Sequence, residues 1–297
     1  MKSLHGKKAL VTGAASGIGR AIAISLADKG CDLYLIDHNK SSLAESAAVA
    51  RRRHVNVIES CCDISQSDRV SAAVGDVLTR WNEIDILVNN AGVCYYGMSV
   101  EMSAEQWDRI LAVNLLAPIQ LTHELLPTLL SRPEAHILNV SSMYGLFATS
   151  RCTAYHATKF GLVGFTEALR AEYCRYGLGV TALCPGYVTS NLFRSMLTSA
   201  GKTSRQPPAW ACATPEYVAQ KAIRGIMRNQ RLVLVTPLAY IGYYCKRFAP
   251  GVIDLLHRIG HKKQYGKSVR QPEKLPTIIP FPSRHHDSLR ETTNAAA

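Results

Sequence analysis

A chain of 297 residues with 47% apolar and 19% charged side chains can bury a large core, which excludes overall disorder and leaves room for one large α/β domain or two small ones. The net charge of +12 is concentrated at one end: residues 201–297 carry 16 Lys and Arg against 5 Asp and Glu, and the rest is nearly balanced. Three readings of that basic third stay open, namely solubility, a surface for anionic lipid and an acidic partner. No recognition motif accompanies the charge, so nucleic acid is not expected.

The N-terminus, MKSLHGKKALVTG, holds no apolar run of leader length, and the nine cysteines are odd in number and without CxxC spacing. The expectation is a reduced, cytoplasmic protein without a disulfide framework or a zinc site. From Lys7 onward, short, nearly continuous apolar runs alternate with helical patterns. The runs are KKALVTGA (7–14), CDLYLID (31–37), VNVIESCCD (55–63), IDILVNNAG (84–92), HILNVSS (136–142), GVTALCPG (179–186) and RLVLVTP (231–237). Such runs suit strands covered on both faces, and the intervening segments are long enough for crossover helices. The fold class is therefore α/β: a doubly wound, seven-stranded parallel sheet with helices on both faces. Gly30 is placed to end the first helix, and Ser103 with Gln106 forms a capping box opening one long helix to 130.

Residues 199–215 read as a mobile loop rich in turn formers. Residues 238–270 form a basic, apolar extension, and residues 271–297 a Pro-rich, polar tail with little to bury. His285 and His286 in that tail read as solvated, with no metal site expected.

TGAASGIG, residues 12–19, joins the first strand to the first helix. Glycines there allow backbone torsions and close approaches that a Cβ obstructs, and the helix N-terminus would stabilise a pyrophosphate. Asp37 ends the second strand, where a carboxylate can accept from ribose hydroxyls and repel a 2′-phosphate. This favours NAD over NADP. Arg20 is the one nearby cation that could offset it, although the first helix is expected to carry it away from the ribose.

These features, followed in order by Asp63, the NNAG of residues 89–92, Asn114, Ser142, the YHATK of residues 155–159, and Pro185, Gly186 and Thr189, resemble the short-chain dehydrogenase/reductase family over about residues 5–195. The resemblance implies a Rossmann-like catalytic domain over 1–237, with a substrate loop at about 190–215. It implies a cofactor held by Gly13, Ser16, Gly17, Ile18 and Gly19, by Asp37, Asp63 and Ile64, by Asn90, Ala91 and Gly92, by Tyr155 and Lys159, and by Pro185, Gly186, Val188 and Thr189. It also implies that Tyr155 is the acid/base, that Lys159 lowers its pKa and grips the nicotinamide ribose, that Ser142 orients the substrate oxygen, and that Asn114 holds a relay water. The family's 13-residue separation from the tyrosine selects Ser142 over Ser141. His156 lies about 100° around the helix from Tyr155 and reads as packing.

Around such a site the sequence offers Tyr95, Tyr144, Tyr187 and Phe193, beside Ser142 and Tyr155, as substrate contacts, with Cys94, Tyr96, Met98, Phe147, Leu192 and Met196 among further apolar candidates. This lining suits a lipophilic alcohol or ketone, although many of these side chains could equally be core. The extension at 238–270 is too interrupted to span a bilayer. Either it is an interfacial amphipathic element, or it closes over the pocket or forms a subunit contact. Similar extensions occur in family members acting on retinoids, steroids and long-chain alcohols. The family also implies a homodimer or homotetramer. Two alternatives remain: an NADPH-dependent 3-oxoacyl reductase docking an acidic carrier, which Asp37 opposes, and a non-catalytic NAD-binding sensor or scaffold.

Overall fold

Leu10, Leu33, Leu35, Ile86, Leu87, Ile137 and Val180 have no solvent exposure, so the apolar runs fold as strands covered on both faces. The computed structural model describes residues 1–189, 197–198 and 207–259. In chain order the elements are β1 (Lys8–Thr12), α1 (Gly17–Ala27), β2 (Asp32–Asp37), α2 (Lys40–Arg51), β3 (Val57–Cys61), α3 (Ser67–Trp81), β4 (Ile86–Asn89) and β5 (Tyr95–Tyr96). They continue with α4 (Ala104–Leu111), α5 (Ala117–Leu130), β6 (Ala135–Val140), α6 (Thr153–Tyr173), β7 (Leu178–Cys184), β8 (Leu197–Thr198), α7 (Pro215–Met227), β9 (Leu232–Leu234), α8 (Pro237–Phe248) and α9 (Pro250–Arg258).

Seven strands form a parallel sheet in the order β3-β2-β1-β4-β6-β7-β9, as expected from the seven apolar runs. From β1 the chain moves outward to β2 and β3 and then returns to place β4 on the other side. The strand order therefore reverses between β1 and β4, which opens a crevice at their carboxyl ends. On one face, Ile22 and Leu26 of α1, Leu43 of α2, and Val218 and Ile226 of α7 bury against the sheet. On the other, Val70 and Val74 of α3, Leu121 and Leu125 of α5, and Leu169 of α6 do the same. At roughly 1.5–3 kcal/mol for each fully buried aliphatic, these two layers supply the main driving force for folding.

Three details depart from the sequence reading. The long helix expected from 103 to 130 opens with the Ser103–Gln106 capping box as read, but a π-helical turn at Ala112–Leu116 divides it into α4 and α5. Helix α1 ends at Ala27 with Asp28 as its cap, and Gly30 follows with φ 78° in the turn into β2. A second, two-stranded sheet, β5 with β8, carries no apolar run and was not legible. Residues 199–206 and the tail at 271–297, with His285 and His286, lie outside the described residues. Within 207–215 there is a 3-10 turn at Ala209–Ala211, and Thr214 caps α7. Met1–His257 form one compact unit, which includes α8. Among the described residues the helical run 104–130 is long and apolar enough to cross a bilayer, but its buried side chains pack against α3 and α6 in the core.

Asp85, 1% exposed at the foot of β4, accepts from Lys8 N, Lys7 Nζ and Arg132 Nε, each at 3.0 Å. Burial alone would raise its carboxyl, but these donors outweigh it and hold the pKa below the ordinary value. A depressed carboxyl contributes stability above its unfolded pKa and loses it as pH falls through the folded one. We therefore expect Asp85→Asn to cost about 3 kcal/mol in urea unfolding at pH 7, with the gap to wild type closing below about pH 4.

Candidate active site

The turn after β1 is held against the turn after β4. Asn90 Nδ2 donates to Thr12 O at 3.0 Å and Gly13 O at 3.3 Å, while Thr12 Oγ1 accepts from Asn90 N at 3.0 Å and Ala91 N at 3.1 Å. A Cβ at Gly19 would overlap the Gly13 carbonyl, which is why the first turn of α1 can lie directly over the loop. Ser16, the N-cap of α1, makes no side-chain capping bond, and the first turn holds no acid. The N–H groups of that helix end are thus open toward the crevice.

The crevice is a cleft of about 510 Å³. Its wall holds Gly13, Ser16, Gly17 and Ile18, then Asp37, Asp63 and Ile64, then Asn90, Ala91 and Gly92, and finally Tyr155 and Lys159. At β2, the Asp37 carboxylate accepts from Ala15 N and Asn39 N, both at 3.0 Å, which fixes it at the rim with His38 Nδ1 3.2 Å away. Arg20 does not line the cleft. At β3, burial raises the Asp63 carboxyl, but Ser65 N–H and Arg109 outweigh it and the net shift is downward. The residues fit a dinucleotide: an uncapped helix N-terminus for the diphosphate, and a fixed carboxylate about one nucleoside away.

At the other end, Tyr155 and Lys159 leave the same face of α6, and Lys159 Nζ lies 5.6 Å from the phenol ring centroid. Lys159 Nζ donates to Val140 O at 2.9 Å. Ser142 Oγ accepts from Tyr144 N at 3.1 Å and lies close enough to Tyr155 to lower its phenol pKa, whereas Ser141 Oγ donates to Lys159 O at 2.9 Å and so anchors α6 to β6.

A family model described as short chain dehydrogenase matches residues 7–200. The chain belongs to that family. It is 32% identical over 259 residues to a dehydrogenase/reductase SDR family protein 7-like of Anopheles gambiae, covering 84% of this chain and 82% of the relative. It is 31% identical over 261 residues to rat (Rattus norvegicus) estradiol 17-beta-dehydrogenase 11, covering 86% and 85%. A crystal structure of a short chain dehydrogenase/reductase from Burkholderia phymatum in complex with NAD is similar over 89% of this chain and all of that one, with 26% identity and a TM-score of 0.76. The protein is a short-chain oxidoreductase with the fold of that family.

Several residues of this dehydrogenase sit differently from the sequence reading. Asn114 is fully buried and outside the cleft wall; its Nδ2 donates to Val93 O and Thr158 Oγ1, and its Oδ1 accepts from Val93 N. Both amide hydrogens are engaged, so the side chain clamps the Val93 backbone. Tyr95 packs with Ile110 and Ala154 beneath α4, because strand alternation turns it away from the site and turns Cys94 and Tyr96 toward Tyr155. Pro185, Gly186, Val188 and Thr189 follow directly after β7. Pro185 O accepts from Met143 N, and Val188 and Thr189 pair with Ala213. Leu192, Phe193 and Met196 lie outside the described residues.

Tyr144 is where expected, with ring edges on Tyr155, Phe147 and Tyr187 and its hydroxyl 3.1 Å from that of Tyr187. His156 is the packing residue it was read to be: its Nε2 accepts from Thr149 N, and burial pushes its pKa down to about 4, so the ring is neutral. Two features had no signal in the sequence. Arg109 of α4 lines the cleft 4.0 Å from Asp63. Cys94 and Cys152, 58 positions apart, hydrogen-bond each other beside Tyr155, which raises the Cys94 thiol and lowers that of Cys152.

The electrostatics reverse one expectation. Burial raises the Tyr155 phenol above its ordinary value, with Cys94 adding to the shift, and the Ser142 hydrogen bond only partly opposes it. Burial likewise lowers Lys159, from 10.5 to about 8. Desolvation outweighs the cation because Lys159 meets the ring and a carbonyl, not the phenol oxygen. A lysine depressed in the fold destabilises it at neutral pH, and that penalty fades as pH rises from about 8 to the unfolded value. We therefore expect Lys159→Met to stabilise the protein by about 2 kcal/mol at pH 7, after subtracting the lost hydrogen bond. The gain should shrink as pH rises above about 8 and be gone before pH 10.5, as measured by denaturant unfolding across pH.

Proposed function

We propose that this short-chain dehydrogenase is NAD-dependent and interconverts a lipophilic alcohol (secondary, long-chain, retinoid-like or steroid-like) and its carbonyl compound. One observation carries the reading: a single cleft joins the open α1 N-terminus and Asp37 at one end to Tyr155 and Lys159 at the other. NAD, when bound, supplies the hydride acceptor in oxidation and, reduced, the hydride donor. Gly13, Ser16, Gly17, Ile18 and Gly19 would hold its diphosphate, Asp37 its adenosine ribose, Asp63 and Ile64 its adenine, and Lys159 its second ribose.

The remaining work belongs to the side chains. Tyr155 exchanges the proton of the substrate oxygen, and Ser142 orients that oxygen and stabilises its developing charge. A phenol raised by burial stays protonated at neutral pH, which is the form that carbonyl reduction draws on, whereas oxidation needs the phenolate that burial opposes. Asn114 positions the Val93 backbone beneath the reacting groups. Tyr96, Tyr144, Phe147 and Tyr187 give the neighbourhood of Tyr155 an aromatic lining, which suits a substrate of low polarity.

The same reading has the enzyme in a reducing cytoplasm, in keeping with nine free thiols, and acting beside a membrane. It also has the chain as a homodimer or homotetramer, for which Leu116 of the π-helical turn and Phe160 of α6, 49% and 40% exposed, offer apolar contact area on the helices around the site.

We expect Tyr155→Phe to retain NAD binding, measured by titration calorimetry, and to lose at least ~100-fold in turnover, measured at 340 nm across a panel of secondary alcohols, retinoids and steroids. Substantial residual turnover would remove Tyr155 from the acid/base role. Asp37→Ala should weaken NAD and relax discrimination against NADP. A wild-type protein that binds NADPH in preference to NADH would overturn the charge argument and favour the 3-oxoacyl reductase alternative.

A further inference from the structure

The two cysteines beside Tyr155 reach it from different elements. Cys94 follows the Asn90, Ala91 and Gly92 wall of the cleft, and Cys152 is the N-cap of α6, three residues before Tyr155. Gly97 N donates to Arg151 O at 2.9 Å, and the Arg151 guanidinium lies 5.8 Å from the centre of the Tyr96 ring, so the two segments are tied together next to the thiols. Cys94, Cys152 and Tyr155 form one buried cluster packed against Tyr96 and Tyr144. Within it the two thiols lie within hydrogen-bonding reach of each other. No step of the proposed hydride transfer uses either one.

The two thiols are not equivalent. Cys152 makes no side-chain capping bond and the first turn of α6 holds no acid, so its sulfur stands beside the free N–H groups of a 21-residue helix, which favour a thiolate. The hydrogen bond from Cys94 lowers the Cys152 thiol against the opposing effect of burial, and the same bond, with burial, raises Cys94. Cys184, the third cysteine near Tyr155, is raised to about 12 by burial and stays protonated. An acidic thiol beside a protonated partner is the arrangement that reacts with peroxides, one sulfur attacking and the other resolving.

We propose that Cys94 and Cys152 form a dithiol site that hydroperoxides oxidise to a disulfide, and that the bridge shuts off the dehydrogenase. The peroxide enters by the opening that admits an alcohol to Tyr155. The Cys152 thiolate attacks one peroxide oxygen and the O–O bond breaks. The departing oxygen takes up the proton that Cys152 had lost, which leaves an alcohol, or water from hydrogen peroxide, and a sulfenic acid on Cys152. The Cys94 sulfur then attacks the Cys152 sulfur, the S–O bond breaks, and hydroxide leaves with the Cys94 proton as water. Two electrons have passed from the two thiols to the peroxide. A disulfide holds its sulfurs at about 2.05 Å, well inside any thiol hydrogen bond. Closing that gap pulls the first turn of α6, with Tyr155, toward the loop that carries Tyr96. A displacement of about 1 Å at a reacting group costs about 100-fold in rate. Exchange with a dithiol reductant reopens the bridge. The loss of turnover rests on Tyr155 as the acid/base; the bridge itself does not.

The test is treatment of the reduced full-length protein with hydrogen peroxide, followed by peptide mapping without reductant and by turnover of a secondary alcohol at 340 nm. Wild type should yield a peptide cross-linked between Cys94 and Cys152, lose about 100-fold in turnover and regain it with dithiothreitol. Cys152→Ser should keep most of its own untreated turnover. Cys94→Ser should stop at a sulfenic acid on Cys152, which dimedone traps. Phenylarsine oxide, which needs two thiols within reach of one arsenic atom, should bridge the same two residues of wild type and so checks their placement without any substitution. A dose that oxidises the exposed Cys61 and Cys174 without forming the bridge would overturn the proposal. So would a bridge that leaves turnover unchanged. If the bridge forms and the reduced protein turns over no alcohol, the dithiol site stands, and its effect on turnover falls with the dehydrogenase reading. If the reduced protein is active and never bridges, the reverse holds.

Discussion

The contact between the turns after β1 and β4 is the constraint on which the site depends. Thr12 and Asn90 exchange side-chain and main-chain hydrogen bonds across the point where the strand order reverses. Those bonds draw the two backbones so close that a Cβ on Gly13 would come within 2.7 Å of Asn90 Nδ2. Because the loop is pinned there, α1 starts with its free N–H groups facing the cleft, and β4 delivers Asn90, Ala91 and Gly92 to the opposite wall. Loosening this contact would dissolve the cleft before touching any reacting group.

Tyr155 and Lys159 are held against their solvation preferences. Tyr155 and Lys159 are 7% and 3% exposed, and burial moves each toward its neutral form. Burying the Lys159 ammonium costs stability at neutral pH. The surroundings over-determine the pair: Val140 O fixes the ammonium, Ser141 fixes the helix backbone, and Asn114, through Thr158 and Val93, ties α6 to the strand end after β4. The fold carries an electrostatic cost at this point, and a group poised near its neutral form can exchange a proton without reorganising water.

One aromatic segment links the cleft to the C-terminal helices. Tyr144 touches the Tyr155 ring on one side, and through Phe147 its segment rests on α8 on the other. The helix that shapes the pocket wall is therefore the same one that exposes Ile241, Tyr244 and Phe248. A change in how α8 packs would therefore be felt at Tyr144.

The sequence by itself determined the sheet, because a strand buried on both faces must be written as an unbroken apolar run. It also determined the dinucleotide loop, Asp37, and the Tyr155–Lys159 pair, because local spacing places those groups with no help from distant chain. It could not assign Asn114, whose partners are backbone groups 21 residues away, or choose between Tyr95 and Tyr96, since the two-residue strand that orients them pairs with residues about 100 positions further on. Arg109 beside Asp63 and Cys94 against Cys152 were likewise invisible, as neither pair has a local pattern. Only the tertiary structure decided that burial, not the neighbouring cation, sets the protonation of Tyr155, because desolvation depends on everything packed around a group and composition records none of it.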